Sequence, residues 1–228
     1  GFGDLYGRLY SRSFVGDIGQ QTRIAMLYGG WYKDLGRKDA LMVTASAGYG
    51  WTANRMNSFH TGGWSRGKWT NRTLAATLNG KWSRRLSDVL EVDFNLGLEY
   101  TDVTQGSFTE TGWDARRFEK GHLKNLSLPV GVGLTCRSEL KGREWINSVA
   151  VSYLPDVYRE NPSAPAQRLL NGYRWEARGT APDRNAVRVN VNSALQLNAR
   201  WRAYAGYEFE GRNKAVAHRF NAGVSFAY

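Results

Sequence analysis

The side chains that could support catalysis in this sequence are few. His60, His122 and His218, with Asp102, Asp114 and Glu119 near them in sequence, could activate water at one rim of a sheet, because a general base needs only hydrogen-bond reach of the proton it takes. No spacing links them, so only tertiary closure could assemble them, and they read as polar rim residues that meet solvent. No G-x-S-x-G elbow marks a serine nucleophile. Cys136 is the one cysteine, and with scattered histidines it offers no metal-ligand spacing. It reads as a small residue in a strand. The carboxylates Glu91, Asp93 and Glu99 read as ordinary lining. The sequence therefore assigns no catalytic, cofactor-binding or metal residue, and the chain reads as a non-enzyme.

The elements that would position these groups are strands. Residues 90–100, LEVDFNLGLEY, set Leu90, Val92, Phe94, Leu96, Leu98 and Tyr100 against Glu91, Asp93, Asn95, Gly97 and Glu99. Strict alternation is the period of a strand with one apolar and one polar face. It recurs in VRVNVNSALQL (187–197), WRAYAGYEF (201–209) and HRFNAGVSFAY (218–228), and in Ile24, Met26 and Tyr28 less cleanly. About ten strands are expected, roughly 2–13, 21–33, 39–54, 68–83, 89–103, 121–137, 144–155, 172–197, 200–210 and 214–228. No helix of ordinary length is expected. With 228 residues, 42% hydrophobic and 22% charged, the chain can form one domain over 1–228. No apolar run approaches the ~18 residues of a spanning helix, and residues 1–20 hold no signal-peptide core.

Connection lengths and aromatic placement choose between a soluble sandwich and a membrane barrel. The gaps at 14–20, 55–67, 104–120 and 156–171 are long, whereas DLGRK, SRRLSD, SELKGR and NAR are short; GRNK before the last strand is short on the long side. Long loops at one end and tight turns at the other is the outer-membrane barrel arrangement. Tyr32, Trp82, Trp145 and Trp201 stand in the apolar phase beside short turns, and Trp51, Tyr100, Tyr153 and Phe209 stand at the other strand ends. Two aromatic girdles at the two membrane interfaces follow. The polar phase then lines a lumen with Lys81, Glu91, Asp93, Glu99, Arg174, Glu176, Arg178, Arg188, Arg202 and Glu208. The net charge of +11 is dispersed through strands and turns, so no nucleic acid partner is expected. Some of it could meet lipid phosphates.

Residues 172–228 resemble the C-terminal strands of the autotransporter β-domain, the translocator of type V secretion. The resemblance rests on Gly179 to Arg184 in a G-x-x-x-x-R segment, a Y-x-G-x strand from Tyr204 to Glu208, and a closing strand with His218 near its start and an aromatic end. GHLKNLSLPVGVGLT and VLEVDFNLGLEYTDV resemble the middle strands of the same domain. It implies an all-β, antiparallel transmembrane barrel of the bacterial outer membrane, twelve-stranded, so that two N-terminal strands would be missing from this chain. It also implies a lumenal helix, an N-terminal passenger that the barrel anchors and helps export, surrounding outer-membrane lipid, and a barrel-assembly machinery that reads the last strand. Phe220, Phe226 and Tyr228 would be that insertion signal. With no initiator Met, the chain is expected to be a C-terminal fragment of a longer polypeptide. The alternatives are a pore or adhesin without a passenger and, behind it, a rim-site barrel protease or lipase.

Overall fold

Half-apolar strands have to pair edge to edge to satisfy their backbones, and the chain does so from end to end. The computed structural model describes residues 2–10, 15–36, 38–60, 62–179, 181, 183–213 and 215–226. In chain order the strands are β1 (Phe2–Tyr10), β2 (Val15–Gly36), β3 (Asp39–His60), β4 (Gly63–Arg85), β5 (Leu90–Gln105), β6 (Phe108–Thr109), β7 (Thr111–Gly112), β8 (Arg116–Phe118), β9 (Gly121–Ser127), β10 (Val130–Leu140), β11 (Arg143–Arg168), β12 (Arg174–Arg178), β13 (Asn185–Gln196), β14 (Trp201–Arg212) and β15 (Ala215–Phe226). One antiparallel path runs β1-β2-β3-β4-β5-β10-β11-β13-β14-β15. The ten-strand expectation matches this path.

Local chemistry fixes the short turns. Leu140 pairs with Arg143 across Lys141 and Gly142, both of which have positive φ (52° and 73°). Two left-handed residues match the twist of a two-residue hairpin, and glycine takes that conformation without a Cβ penalty. Between β9 and β10 the strand is creased at Leu128 and Pro129. Proline has no N–H to give the ladder, while its carbonyl still accepts from Gly97 N at 2.7 Å.

The expected long loops are mostly paired strand. β3 and β4 stay paired until His60 lies opposite Gly63, and β11 runs on to Arg168. Residues 104–120 hold the short strands β6, β7 and β8. The expected eighth strand, 172–197, is two strands, β12 and β13. The physical reason is common to the segments that read as loop. Past the apolar band polar residues stand on both sheet faces, so alternation disappears from the sequence while backbone pairing continues.

The 106–120 segment is fastened on both sides. Trp113 N donates to Trp64 O at 3.2 Å and Gly106 N to Thr70 O at 2.8 Å on β4, while Leu169 N donates to Ala115 O at 2.9 Å on the far side. Within it, Arg116 Nε and Nη2 grip the buried Glu110 carboxylate at 2.7 and 2.8 Å. Trp69, Phe108 and Phe118 stack in sequence, with centroids 4.6 and 4.8 Å apart.

Sidedness is inverted relative to a soluble protein. Leu96 is 62% exposed, Val130 53% and Phe220 79%, whereas Asp93 and Asp156 are each 6% exposed. The buried apolar side chains among the described residues are Leu154 and the three small ones Ala164, Ala166 and Ala186. The sheet has put its polar face inside.

Candidate functional site

The interior face is built by register. Lys81 on β4 lies opposite Met42 on β3 and Asn95 on β5, and Asp93 lies opposite Ser83 and Gly133. Residues facing each other across a ladder share a sheet face, so one polar phase runs continuously from strand to strand. At its turn end, Lys81 Nζ is 2.9 Å from Asp93 Oδ1, and Ser83 Oγ and Thr135 Oγ1 donate to the same carboxylate at 2.6 and 3.2 Å. Arg137 bonds Glu91 at 3.3 Å, and Arg202 reaches Glu144 at 3.5 Å.

Nearer the loop end, Arg188 on β13 donates through Nη1 to Glu99 Oε1 at 2.6 Å and through Nη2 to Glu210 Oε2 at 3.0 Å. Glu208 Oε2 is 3.9 Å from its Nε and also pairs with Arg219. Arg212 joins Glu210 to Asp156, at 3.1 and 2.6 Å, and Arg159 also pairs with Asp156. Each buried acid thus has a cation and further donors, the condition under which charges can be held inside a protein wall.

These pairs also measure curvature. β5 and β13 are three strands apart on the path, which in a flat sheet separates their backbones by about 14 Å. The Arg188–Glu99 contact requires the sheet to curl about its polar face. A cavity of about 670 Å³ on that side draws its lining from β2, β3, β4, β5, β6, β8, β9, β11 and β12, with Ile18, Met56, Trp69, Val103 and Phe118 among the walls. The sheet is the wall of a β-barrel.

Seven of the ten residues expected in the lumen stand on this wall: Lys81, Glu91, Asp93, Glu99, Arg188, Arg202 and Glu208. Arg174, Glu176 and Arg178 do not join its ion pairs. They sit on β12, off the main path, and are exposed, with Arg178 at the margin of the cavity. There the Arg178 guanidinium, 2.7 Å from Glu176, holds that carboxyl below the usual carboxylate range. Asp156, Arg159, Arg212, Arg137 and Glu144 belong to the wall but were not expected in it. Asp156 opens the segment 156–171 that reads as loop, just past the expected strand 144–155, and only its pairing reveals its side.

On the outer face, Trp82 stacks on Phe94 (5.3 Å) and Trp201 packs at a tilt against Phe226 (4.8 Å) at the turn end, with Trp145 Nε1 donating to Ser193 at 2.8 Å. Trp51 with Tyr49 (4.6 Å), Tyr100, Tyr153 and Phe209 stand toward the loop end of the same face. Tyr32 is a correction. It lies opposite Met42 and hence on the interior phase with Lys81, and Trp31, opposite Val43, stands on the outer face instead. The reason is that β2 carries large apolar residues in both phases beyond Ala25, so its sequence does not mark which phase is outside.

Of the histidines, His122 Nδ1 lies 3.4 Å from Thr104 Oγ1 and His218 Nδ1 shares a 2.9 Å hydrogen bond with Tyr207 OH. Asp102 accepts from Tyr100 OH at 3.3 Å, and Asp114 is held by Arg168. These pairings are separate from one another. The His60 side chain and Tyr228 lie outside the described residues. Phe220 stands opposite Tyr207, and Phe226 opposite Trp201, on the outer face of the last hairpin.

The family comparison agrees with this architecture. Residues 2–208 match the family model described as "Autotransporter beta-domain". "Probable outer membrane protein pmp19" of Chlamydia pneumoniae is 33% identical over 73% of this chain and 18% of its own length. "Probable outer membrane protein PmpC" of Chlamydia muridarum is 27% identical over 100% of this chain and 17% of its own length. The chain thus spans less than a fifth of the length of these two curated relatives. Among solved structures, the transport unit of the autotransporter AIDA-I from Escherichia coli has a TM-score of 0.44 at 8% identity, covering 93% of this chain and 84% of that one. With the family's sequence pattern running from the first described strand into β14, the chain belongs to the autotransporter beta-domain family.

Proposed function

We propose that this domain anchors a longer polypeptide in the bacterial outer membrane and serves the export of a passenger attached upstream of Gly1. The observation that carries the reading is the inverted sidedness: apolar side chains such as Leu96, Val130 and Phe220 face outward, while paired charges face an enclosed space. Water cannot explain such an exterior, since exposed apolar patches of this extent mark a membrane or a partner. Eight residues separate Trp145 from Tyr153 and Trp201 from Phe209. That is about 27 Å along a strand and, at a tilt of about 40°, about 21 Å of height, close to the ~25 Å apolar band of outer-membrane barrels.

In this reading the ion-paired interior keeps the path wet, because charges already satisfied by one another neither bind a passing chain tightly nor collapse onto it. The aromatic residues outside set the depth in the lipid. Phe220, Phe226 and Tyr228 present the last strand to the barrel-assembly machinery, and the wall contributes no chemistry of its own to the passenger.

The test is protease shaving of intact cells that express the full natural gene with an epitope upstream of Gly1. We expect the epitope to be cleaved from outside in the wild type and to stay protected when residues 218–228 are removed. An epitope that remains internal while the domain is membrane-inserted would overturn export and leave an anchored pore.

A further inference from the structure

The outer face of β3 and β4 carries a second feature that the export path does not use. Arg55 stands directly opposite Lys68, Arg66 opposite Asn57 two residues further on, and Arg72 opposite Trp51. All four basic side chains are exposed. Like charges directly opposite on one sheet face have Cβ atoms about 5 Å apart and destabilise the pair. On this part of β2 to β4 the carboxylate among the described side chains is Asp17, and it accepts from Asn57 Nδ2 at 3.2 Å. Among the described residues no acid forms an ion pair with Arg55, Arg66, Lys68 or Arg72. The repulsion is left for an anion from outside the chain to relieve.

The place of the cluster indicates which anion. Trp51 and Arg72 are level with the loop-end aromatics. A rise of about 3.4 Å per residue and a tilt of about 40° put the Arg55–Lys68 row about 10 Å higher. The four cations therefore bracket the headgroup layer just outside the hydrocarbon. Directly below, the same face continues into Tyr49, Leu74 and Leu78, all of the outward phase, along which an acyl chain would lie. Cations above an unbroken apolar strip match a molecule with phosphates above and acyl chains below.

We infer that β3 and β4 form a binding site for a phosphorylated lipid of the outer leaflet, with Arg55 and Lys68 clamping a phosphate and Arg66 and Arg72 flanking it. The inference rests on the outer-membrane reading above. The full-length protein would be folded into phosphatidylcholine vesicles, alone or with a bisphosphorylated glucosamine-disaccharide lipid or its dephosphorylated form. Heat-modifiable gel migration reports insertion, and mass spectrometry reports lipid retained after extraction into a neutral detergent. Wild type should retain the phosphorylated lipid over the dephosphorylated one, and equimolar inorganic phosphate should not displace it.

The double variant R55Q/K68Q should bind it about 30-fold more weakly, the loss expected for two basic residues at an anionic surface. The charge-preserving R55K/K68R should keep it, as should K141Q/R143Q, which removes the same charge at the opposite end of the wall. Retention by R55Q/K68Q equal to wild type, or full displacement by inorganic phosphate, would overturn the site while leaving the membrane reading in place. Wild type that fails to insert would overturn both.

Discussion

At the scale of single residues, Arg188 is the centre of the interior. It joins Glu99, Glu208 and Glu210, and through Glu210 it is linked to Arg212 and Asp156. Removing it leaves three acids facing one another. Its side chain is 17% exposed and that of Glu99 31%, so water replaces part of the lost pairing and the full cost of a dry buried charge does not apply. We expect Arg188→Ala to lower folding stability by about 1–3 kcal/mol, measured as the shift of the urea midpoint for folding into micelles. The exchange Glu99→Arg with Arg188→Glu should recover part of what Arg188→Glu alone loses. A double variant as unstable as the sum of the two singles would mean the pair is not coupled. Arg188 was legible in the sequence because it stands in the polar phase of a strictly alternating run. Its partners were legible only by phase, since nothing in a linear sequence brings residue 99 to residue 188.

At the scale of elements, alternation identifies strands and their sides wherever one face meets lipid and the other does not. β5, β10 and β13 were readable for that reason. Two kinds of segment were not. In β2, Met26, Tyr28 and Tyr32 compete with Leu27 and Trp31, and only pairing with β3 shows which phase is outside. In 55–67 and 156–168, polar residues occupy both faces, so paired strand looks like loop. The lipid-facing assignment makes a direct prediction. Leu96→Arg and Val191→Arg should each cost about 2–4 kcal/mol in a vesicle folding assay, as expected for a cation at mid-bilayer. Asn95→Arg and Asn190→Arg, one residue away on the interior phase, should be mild. Equal costs in both phases would remove the membrane assignment from these strands.

At the scale of the whole molecule, β1 and β15 are the two ends of the strand path, each with one neighbour among the described residues. Hydrocarbon tolerates no open sheet edge, because an unpaired N–H or C=O there costs several kcal/mol. In the full-length protein in membranes, we expect slow amide exchange at every residue from 216 to 226. Fast exchange at alternate residues, with the β14-bonded ones protected, would show that this edge stays unpaired and that closure is made elsewhere. The family resemblance, with its twelve strands, leaves room for further strands between these edges.

The extension of β3 and β4 beyond the aromatic belt has a consequence for what happens above the membrane. From Trp51 to His60 is nine residues, roughly 30 Å of strand and, at the barrel tilt, roughly 23 Å of height. The long β11 and the fastened 106–120 segment rise beside it. Together they make a collar. In the export reading proposed above, a polypeptide leaving the interior would be released at the top of this collar, well above the loop-end aromatics. Its first folded segment would then form at that height and not against the bilayer, and the collar's flank is the part of the wall that stands furthest from the lipid.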